Sequence, residues 1–117
     1  IFDPSTGKKI AGLRTADGTS FGDSCEELWK MGRRENLFTG NTTIGAVFTN
    51  GKFNKAQMNK IASMTRNAYA RCINPVGTMA DGDSIYAASA GEVEADLNVA
   101  GTLAAYVMER AIVAAIR

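Results

Sequence analysis

The clearest alternation of side-chain types lies in the middle of the chain. Residues 42–49 are β-branched or apolar and end at Asn50-Gly51, which predicts a strand closed by a tight turn. Because successive side chains of a strand point to opposite faces, every second residue shares a face. The expected core face carries Thr42, Ile44, Ala46 and Phe48.

Helical spacing appears in two further stretches. Asn54 with Gln57 three residues later is a capping-box variant, and the apolar positions behind it predict one helix to about Cys72. Asp96 can cap a final, alanine-rich helix to about Arg117. Shorter patterns predict a helix over residues 25–31 and strands over residues 9–13 and 84–89, with a loop over residues 91–95. The order strand, helix, strand, helix predicts an α/β (α+β) fold.

The composition is typical of one ordinary globular domain and argues against nucleic acid and membranes as its partners. The chain has 117 residues, 45% hydrophobic and 21% charged, with a formal net charge of +1. A net charge this close to zero does not favour binding to nucleic acid. No apolar run approaches the roughly 20 residues that span a bilayer, so we expect neither nucleic acid nor a membrane as a partner.

Cys25 and Cys72 are expected to be free thiols in a reducing cytoplasm. Residues 52–71 contain bases and no acids, so a basic helix that binds RNA or acidic lipid is an alternative, although a solvated face is favoured.

Histidine is absent from the chain, and this limits the chemistry available to it. Ser-His-Asp and Cys-His devices and histidine metal sites are excluded within these residues. An N-terminal nucleophile needs none of them, nor any cofactor or metal, because its own α-amine, with a pKa near 7.7 to 8.0, accepts the hydroxyl proton. Thr42 fits this role at the start of the predicted strand, directly after Gly40-Asn41.

Several segments resemble one family of enzymes. They are DPSTGKKIAG at residues 3–12, NTTIGAVFTN at 41–50, NKAQ at 54–57, ARCINPVGT at 70–78 and DGD at 81–83. Together they are similar to the self-processing D-aminopeptidase and β-peptidyl aminopeptidase family. The Asn-Thr junction and the Asp-Gly-Asp motif favour its nylon-oligomer (6-aminohexanoate-oligomer) hydrolase branch.

The resemblance implies a layered α/β/β/α sandwich and an amide-cleaving enzyme that activates itself. The precursor would cut itself between Asn41 and Thr42, and Thr42 would be both nucleophile and α-amine base. Asp81 and Asp83 match positions that give hydrogen-bonding support near the nucleophile, and extended geometry would aim both carboxylates the same way. Thr43 is a competing nucleophile that alternation turns to the opposite face.

The same resemblance implies how the chain is divided. Residues 1–41 would be the C-terminal end of the precursor's large subunit and residues 42–117 the small subunit, both within one domain. Family members carry a catalytic Lys and Asn in the larger N-terminal part, upstream of Ile1, and the chain opens without Met, so we expect it to be a processed product or an excised piece. The remainder of the precursor is the expected partner, within a homo-oligomer.

Three questions stay open at this level. The substrate can be an oligoamide, the N-terminal residue of a peptide or a pantetheine-like amide. A small α/β interaction module without enzymatic activity is the alternative outside catalysis. The resemblance does not say whether the Asn41–Thr42 bond is cut in this chain.

Overall fold

A computed structural model describes residues 1–32 and 42–116 of the chain. Within these ranges its helices and strands are α1 (Ser24–Met31), β1 (Ile44–Gly51), α2 (Lys55–Thr65), α3 (Asn67–Cys72), β2 (Ser84–Val93) and α4 (Leu97–Ile116). The fold is mixed α/β, as the sequence predicts. Residues 9–13 form no named strand and enter only an isolated bridge between Phe2 and Lys9.

The two described strands pair in parallel. Ile44 lies opposite Ser84 and the register continues to Thr49 opposite Ser89, after which an irregularity brings Gly51 opposite Val93. Strand β1 therefore continues through Gly51 into a helical crossover, which a parallel pair requires, and not into a hairpin. Strand β2 also extends to Val93, where a loop was expected, and a side chain at Gly91 would collide with the Asn50 carbonyl.

The crossover contains two helices where the sequence pattern predicted one. Asn54 and Gln57 form the predicted capping box, which starts α2. Helix α2 ends at Thr65 and is capped by Arg66, whose N–H donates to both Ala62 O and Met64 O. Helix α3 begins directly after this cap, at Asn67. The Thr65 hydroxyl also donates to Ile61 O at 2.7 Å, a back-bonding that bends helices.

The helices pack on one face of the sheet, and it is not the face that we expected. Ala68, Tyr69 and Met108 form the core there, against Val47 and Ile85. A Cβ at Gly45 would lie 2.7 Å from the Tyr69 hydroxyl, so the smallest residue of β1 occupies the helix side. The opposite face carries large apolar side chains that stay open: Ile44 (71% exposed), Phe48 (79%) and Tyr86 (67%).

Helix α4 completes the helical layer. Asp96 Oδ1 accepts hydrogen bonds from the N–H groups of Asn98 and Val99, which confirms the predicted cap. Gly101, Ala105 and Met108 are its buried residues, and the helix contacts α2, α3 and β1. The small residues thus allow close packing.

Helix α4 has the length predicted for it, but its apolarity does not fit the expectation that no apolar run could span a bilayer. It has 20 residues, and its most apolar 18-residue window has a mean hydropathy of 1.5, so by length and composition alone it could cross a membrane. Only 17% of that window is buried. Core helices of soluble proteins meet the same criterion, which makes one such helix weak support for a membrane partner.

Candidate active site

Thr42 and the Asp-Gly-Asp motif meet at the N-terminal ends of the two parallel strands. The Thr43 N–H donates to Asp83 Oδ1 at 2.8 Å, and the Ser84 N–H donates to Thr43 O at 3.0 Å. Both backbone groups of Thr43 are thus held by residues about 40 positions later in the chain. Thr42, one residue earlier, is exposed and lies against Gly82.

Asp83 is the carboxylate that the fold directs to the start of β1. A hydrogen bond from a backbone N–H to a carboxylate is charge-assisted and therefore stronger than a hydrogen bond between neutral groups. The bond fixes the peptide group of Thr43, the residue that follows Thr42.

Asp81 has different partners. Its Oδ2 accepts from the Thr78 N–H at 2.7 Å and from the Thr78 hydroxyl at 2.8 Å, and its own N–H donates to Thr78 O. The two carboxylates therefore do not share a target, contrary to the expectation that extended geometry would aim them the same way. Residues 81–83 are not part of β2, which starts at Ser84. Asp81 stabilises the turn that leads into the motif.

Tyr69 and Ser84 join the site although the sequence pattern did not single them out. The Tyr69 hydroxyl lies 3.4 Å from Ser84 O, and burial, with a smaller effect of the Asp83 charge, raises the pKa of Tyr69. Tyr69 is a buried residue of the core. Only its tertiary position on α3 places its hydroxyl beside Ser84, which follows the motif directly.

An open cavity of about 310 Å³ adjoins this arrangement. Its lining consists of Ala62, Ser63, Arg66, Tyr69, Asp83, Ser84 and Ile85. A larger surface cavity of about 690 Å³ lies elsewhere, between residues 3–5 and the C-terminal half of α4, and contains none of the predicted site residues. The smaller cavity is the one next to the candidate chemistry.

Other predicted features are placed as follows. Asn41, the expected residue before the cleavage point, lies outside the described residues. Cys25 is partly buried and Cys72 buried, both as free thiols, and the Cys25 thiol lies 3.4 Å from Asn74 Oδ1. Within residues 1–32 and 42–116, no group of three or more His, Cys, Asp or Glu side chains could hold a metal ion.

Comparison with known proteins places this chain in a family of peptidases. The family model described as "Peptidase family S58" matches residues 6–117. The chain therefore belongs to peptidase family S58.

Individual relatives agree with this membership over part of the chain. An uncharacterized aminopeptidase of Mycobacterium leprae is 40% identical over 55 residues, which is 47% of this chain and 15% of that protein. Proteins named 6-aminohexanoate-oligomer endohydrolase, from Paenarthrobacter ureafaciens and a Kocuria strain, are 34% identical over 55 residues, or 47% of this chain and 16% of theirs. The matched segment thus spans about a sixth of each of these relatives.

Proposed function

We propose that this chain is part of an N-terminal-nucleophile hydrolase that cleaves amide bonds in oligoamides or peptides. Its membership of peptidase family S58 and the names of its relatives support amide hydrolysis. The observation that carries the proposal is the position of Thr42: exposed, at the start of a strand, and one residue before a backbone held by Asp83 and Ser84.

Activation would begin with self-cleavage. The Thr42 hydroxyl attacks the Asn41 carbonyl carbon, the C–N bond breaks, and the Asn41 acyl group is left as an ester on Thr42 Oγ. Water hydrolyses this ester, which leaves a carboxylate on Asn41 and a free amine on Thr42. The bond from Thr43 N–H to Asp83 does not involve the cleaved amide, so precursor and product can both keep it.

In the mature enzyme Thr42 would supply both the nucleophile and the base. Its α-amine takes the proton of its hydroxyl as Oγ attacks the substrate carbonyl, and the proton passes to the leaving amine. Water then hydrolyses the acyl-enzyme. Asp83 would hold the backbone that carries Thr42, and Asp81 would keep the turn before the motif in shape through Thr78.

The rest of a longer protein would complete the site and cover the sheet. The outward face of β1 and β2 presents Ile44, Phe48 and Tyr86 to solvent, and a second β layer packed there would give the sandwich that the resemblance implies. We infer that this layer belongs to the large subunit and that the assembled enzyme is a homo-oligomer. Analytical ultracentrifugation of the full-length protein gives its oligomeric state and tests whether it is a homo-oligomer.

Replacing Thr42 with alanine tests the proposal. Thr42→Ala removes the attacking oxygen, so we expect the full-length precursor to stay uncut and amide turnover to fall by about 10⁴-fold or more. Intact mass and N-terminal sequencing report cleavage, and hydrolysis of a linear 6-aminohexanoate oligomer reports turnover. An aminoacyl anilide, assayed in parallel, distinguishes an oligoamide hydrolase from a peptide aminopeptidase.

Thr43→Ala is the matched control. It removes the same side chain one position later but keeps the N–H and C=O that bond to Asp83 and Ser84. We expect this variant to be cut and active. A Thr42→Ala protein that is still cut before residue 42 and still hydrolyses amides would contradict the proposal.

A further inference from the structure

Gly82 lies directly against the Thr42 side chain. A Cβ built on Gly82 would be 3.0 Å from Thr42 Oγ1, 3.7 Å from Cγ2 and 4.0 Å from Cβ, and these are its nearest neighbours. The hydroxyl oxygen is therefore the atom that a side chain at position 82 would meet first. A separation of 3.0 Å is tighter than ordinary van der Waals contact, so one of the two groups would have to move.

Backbone conformation does not explain this glycine. The glycines with positive φ in the described residues are Gly7, Gly12, Gly18, Gly32 and Gly77, and Gly82 is not among them. An alanine could adopt the backbone of Gly82 without the strain that left-handed residues suffer. What distinguishes the position is that a side chain there would crowd the Thr42 hydroxyl.

The backbone on both sides of this contact is held. Thr43 is bonded through its N–H to Asp83 and through its C=O to Ser84, while the Asp81 carboxylate bonds Thr78. Movement of either main-chain segment would strain these bonds. The Thr42 side chain can move more easily, so rotation about its χ1 is the least costly way to relieve the contact with a Cβ at position 82.

We propose that Gly82 is a positioning residue: its missing side chain leaves the space in which the Thr42 hydroxyl is held for attack. The inference rests on the proposed role of Thr42 as nucleophile. A side chain at position 82 turns the hydroxyl out of line while the fold persists. Relief of the contact needs a shift of a few tenths of an ångström. Since misplacement of a reacting group by about 1 Å can cost about 100-fold in rate, we expect a loss of about 10-fold here.

The test uses the full-length protein with Gly82→Ala. Self-cleavage is followed by the appearance of a fragment that begins at Thr42, and kcat and KM are measured on a linear 6-aminohexanoate oligomer. We expect cleavage and kcat to fall by about 10-fold, with KM within about twofold and Tm within about 2 °C of the parent. A parental rate of cleavage and turnover would overturn the inference, and so would a loss that comes with a large drop in Tm.

Gly22→Ala is the matched control. The added Cβ would lie 3.6 Å from Leu13 Cδ2, an ordinary contact, and Gly22 also lacks positive φ. It should process and turn over at the parental rate. A loss as large as that of Gly82→Ala would overturn the inference, because it would make the effect common to glycine replacement.

A double-mutant cycle with Thr42→Ser separates positioning from a structural role. Serine lacks Cγ2, so its hydroxyl can rotate past the new methyl group, and Gly82→Ala should cost only a few-fold in that background. An equal loss in the threonine and serine backgrounds would overturn the inference. Thr42→Ala reports on the proposed function itself: if that variant is inert and Gly82→Ala is normal, only the role of Gly82 fails.

Discussion

At the scale of single residues, the two aspartates of the candidate site have different hydrogen-bond partners. Asp81 and Asp83 lie two positions apart, yet one bonds Thr78 within its own turn and the other bonds Thr43 across the sheet. The sequence motif identified both as candidates. Their different partners follow from the irregular backbone of residues 81–83, which local pattern does not specify.

A second residue-scale consequence concerns Cys72 and alkaline pH. Burial, with smaller contributions from the Glu109 and Asp3 charges, raises the pKa of the Cys72 thiol. Above the unfolded-state pKa, about 8.5, the folded chain therefore holds a proton that the unfolded chain has lost. The stability that this group contributes is fully present below that pH and is lost as pH rises through the folded pKa.

Cys72→Ala tests this linkage. Between pH 8.5 and 10.5 the free energy of unfolding should fall less steeply in the variant than in the parent, as measured by urea denaturation at each pH. At pH 7 the thiol is protonated in both states, so the same comparison there gives only the packing cost. Parallel slopes in the alkaline range would contradict the assignment.

At the scale of elements, helices α2 and α4 pack closely at Gly101. Gly101 is buried on α4, and a side chain there would collide with the Met64 sulfur and lie 3.2 Å from Met64 Cβ. The end of a methionine side chain can move, but its Cβ is fixed to the α2 backbone. Gly101 therefore sets the separation of the two helices.

We expect Gly101→Val to lower the free energy of unfolding by about 1–2 kcal/mol. Overpacking costs about 1–3 kcal/mol, and the better helix propensity of valine offsets part of it. Thr102→Val, on the exposed side of the same helix, should stay within about 0.5 kcal/mol of the parent. Chemical denaturation of both variants makes the measurement, and equal stabilities would contradict the packing explanation.

Prediction from sequence succeeded for elements with local signals. The Asn54 capping box and the Asp96 cap involve residues within three positions of each other, so the sequence contains the whole interaction. The break at Arg66 and the choice of sheet face were not predicted correctly. Alternation separates Ile44 from Gly45, but the helices select the Gly45 side because Tyr69 and Met108 need the space.

The same distinction between local signals and tertiary contacts applies to the candidate site. Residue type, position and resemblance predict Thr42 as the N-terminal nucleophile, and this role stays a proposal. The bond between Thr43 and Asp83 joins residues 40 positions apart and depends on the parallel register of β1 and β2. Gly82 had no separate signal, because only the folded chain shows which atom lies beside it.

At the scale of the whole molecule, the segregated charges of the sequence partly pair. Lys52 and Glu92 lie 3.6 Å apart, and Arg71 forms an ion pair with Glu109. The basic run of the crossover thus meets acids from β2 and α4. Exposed pairs of this kind contribute about 0–1 kcal/mol each, but they reduce the positive surface that RNA would need.

The open face of the sheet leads to a prediction that depends on how much of the protein is present. In the 117-residue chain alone, Phe48 is exposed, so Phe48→Ser should reduce binding of a hydrophobic dye and raise solubility. In the full-length protein, where we propose that a second layer covers this face, the same change should cost about 2–4 kcal/mol.

Dye fluorescence of the short chain and thermal denaturation of the full-length protein make the two measurements. Leu13→Ser, at an exposed apolar position away from the sheet, is the control and should change neither strongly. If Phe48→Ser leaves the full-length protein as stable as the parent, the face is not covered there.

The bonds at Thr43 have a consequence for the end of a cleaved chain. New chain termini usually fray, because their first residues have few contacts and gain entropy when they come loose. A chain that starts at Thr42 has only one residue before its first fixed N–H, and that residue rests on Gly82. Its terminus would stay ordered from the moment it forms, and the entropy cost of ordering the nucleophile would already be met by the folding of the sheet.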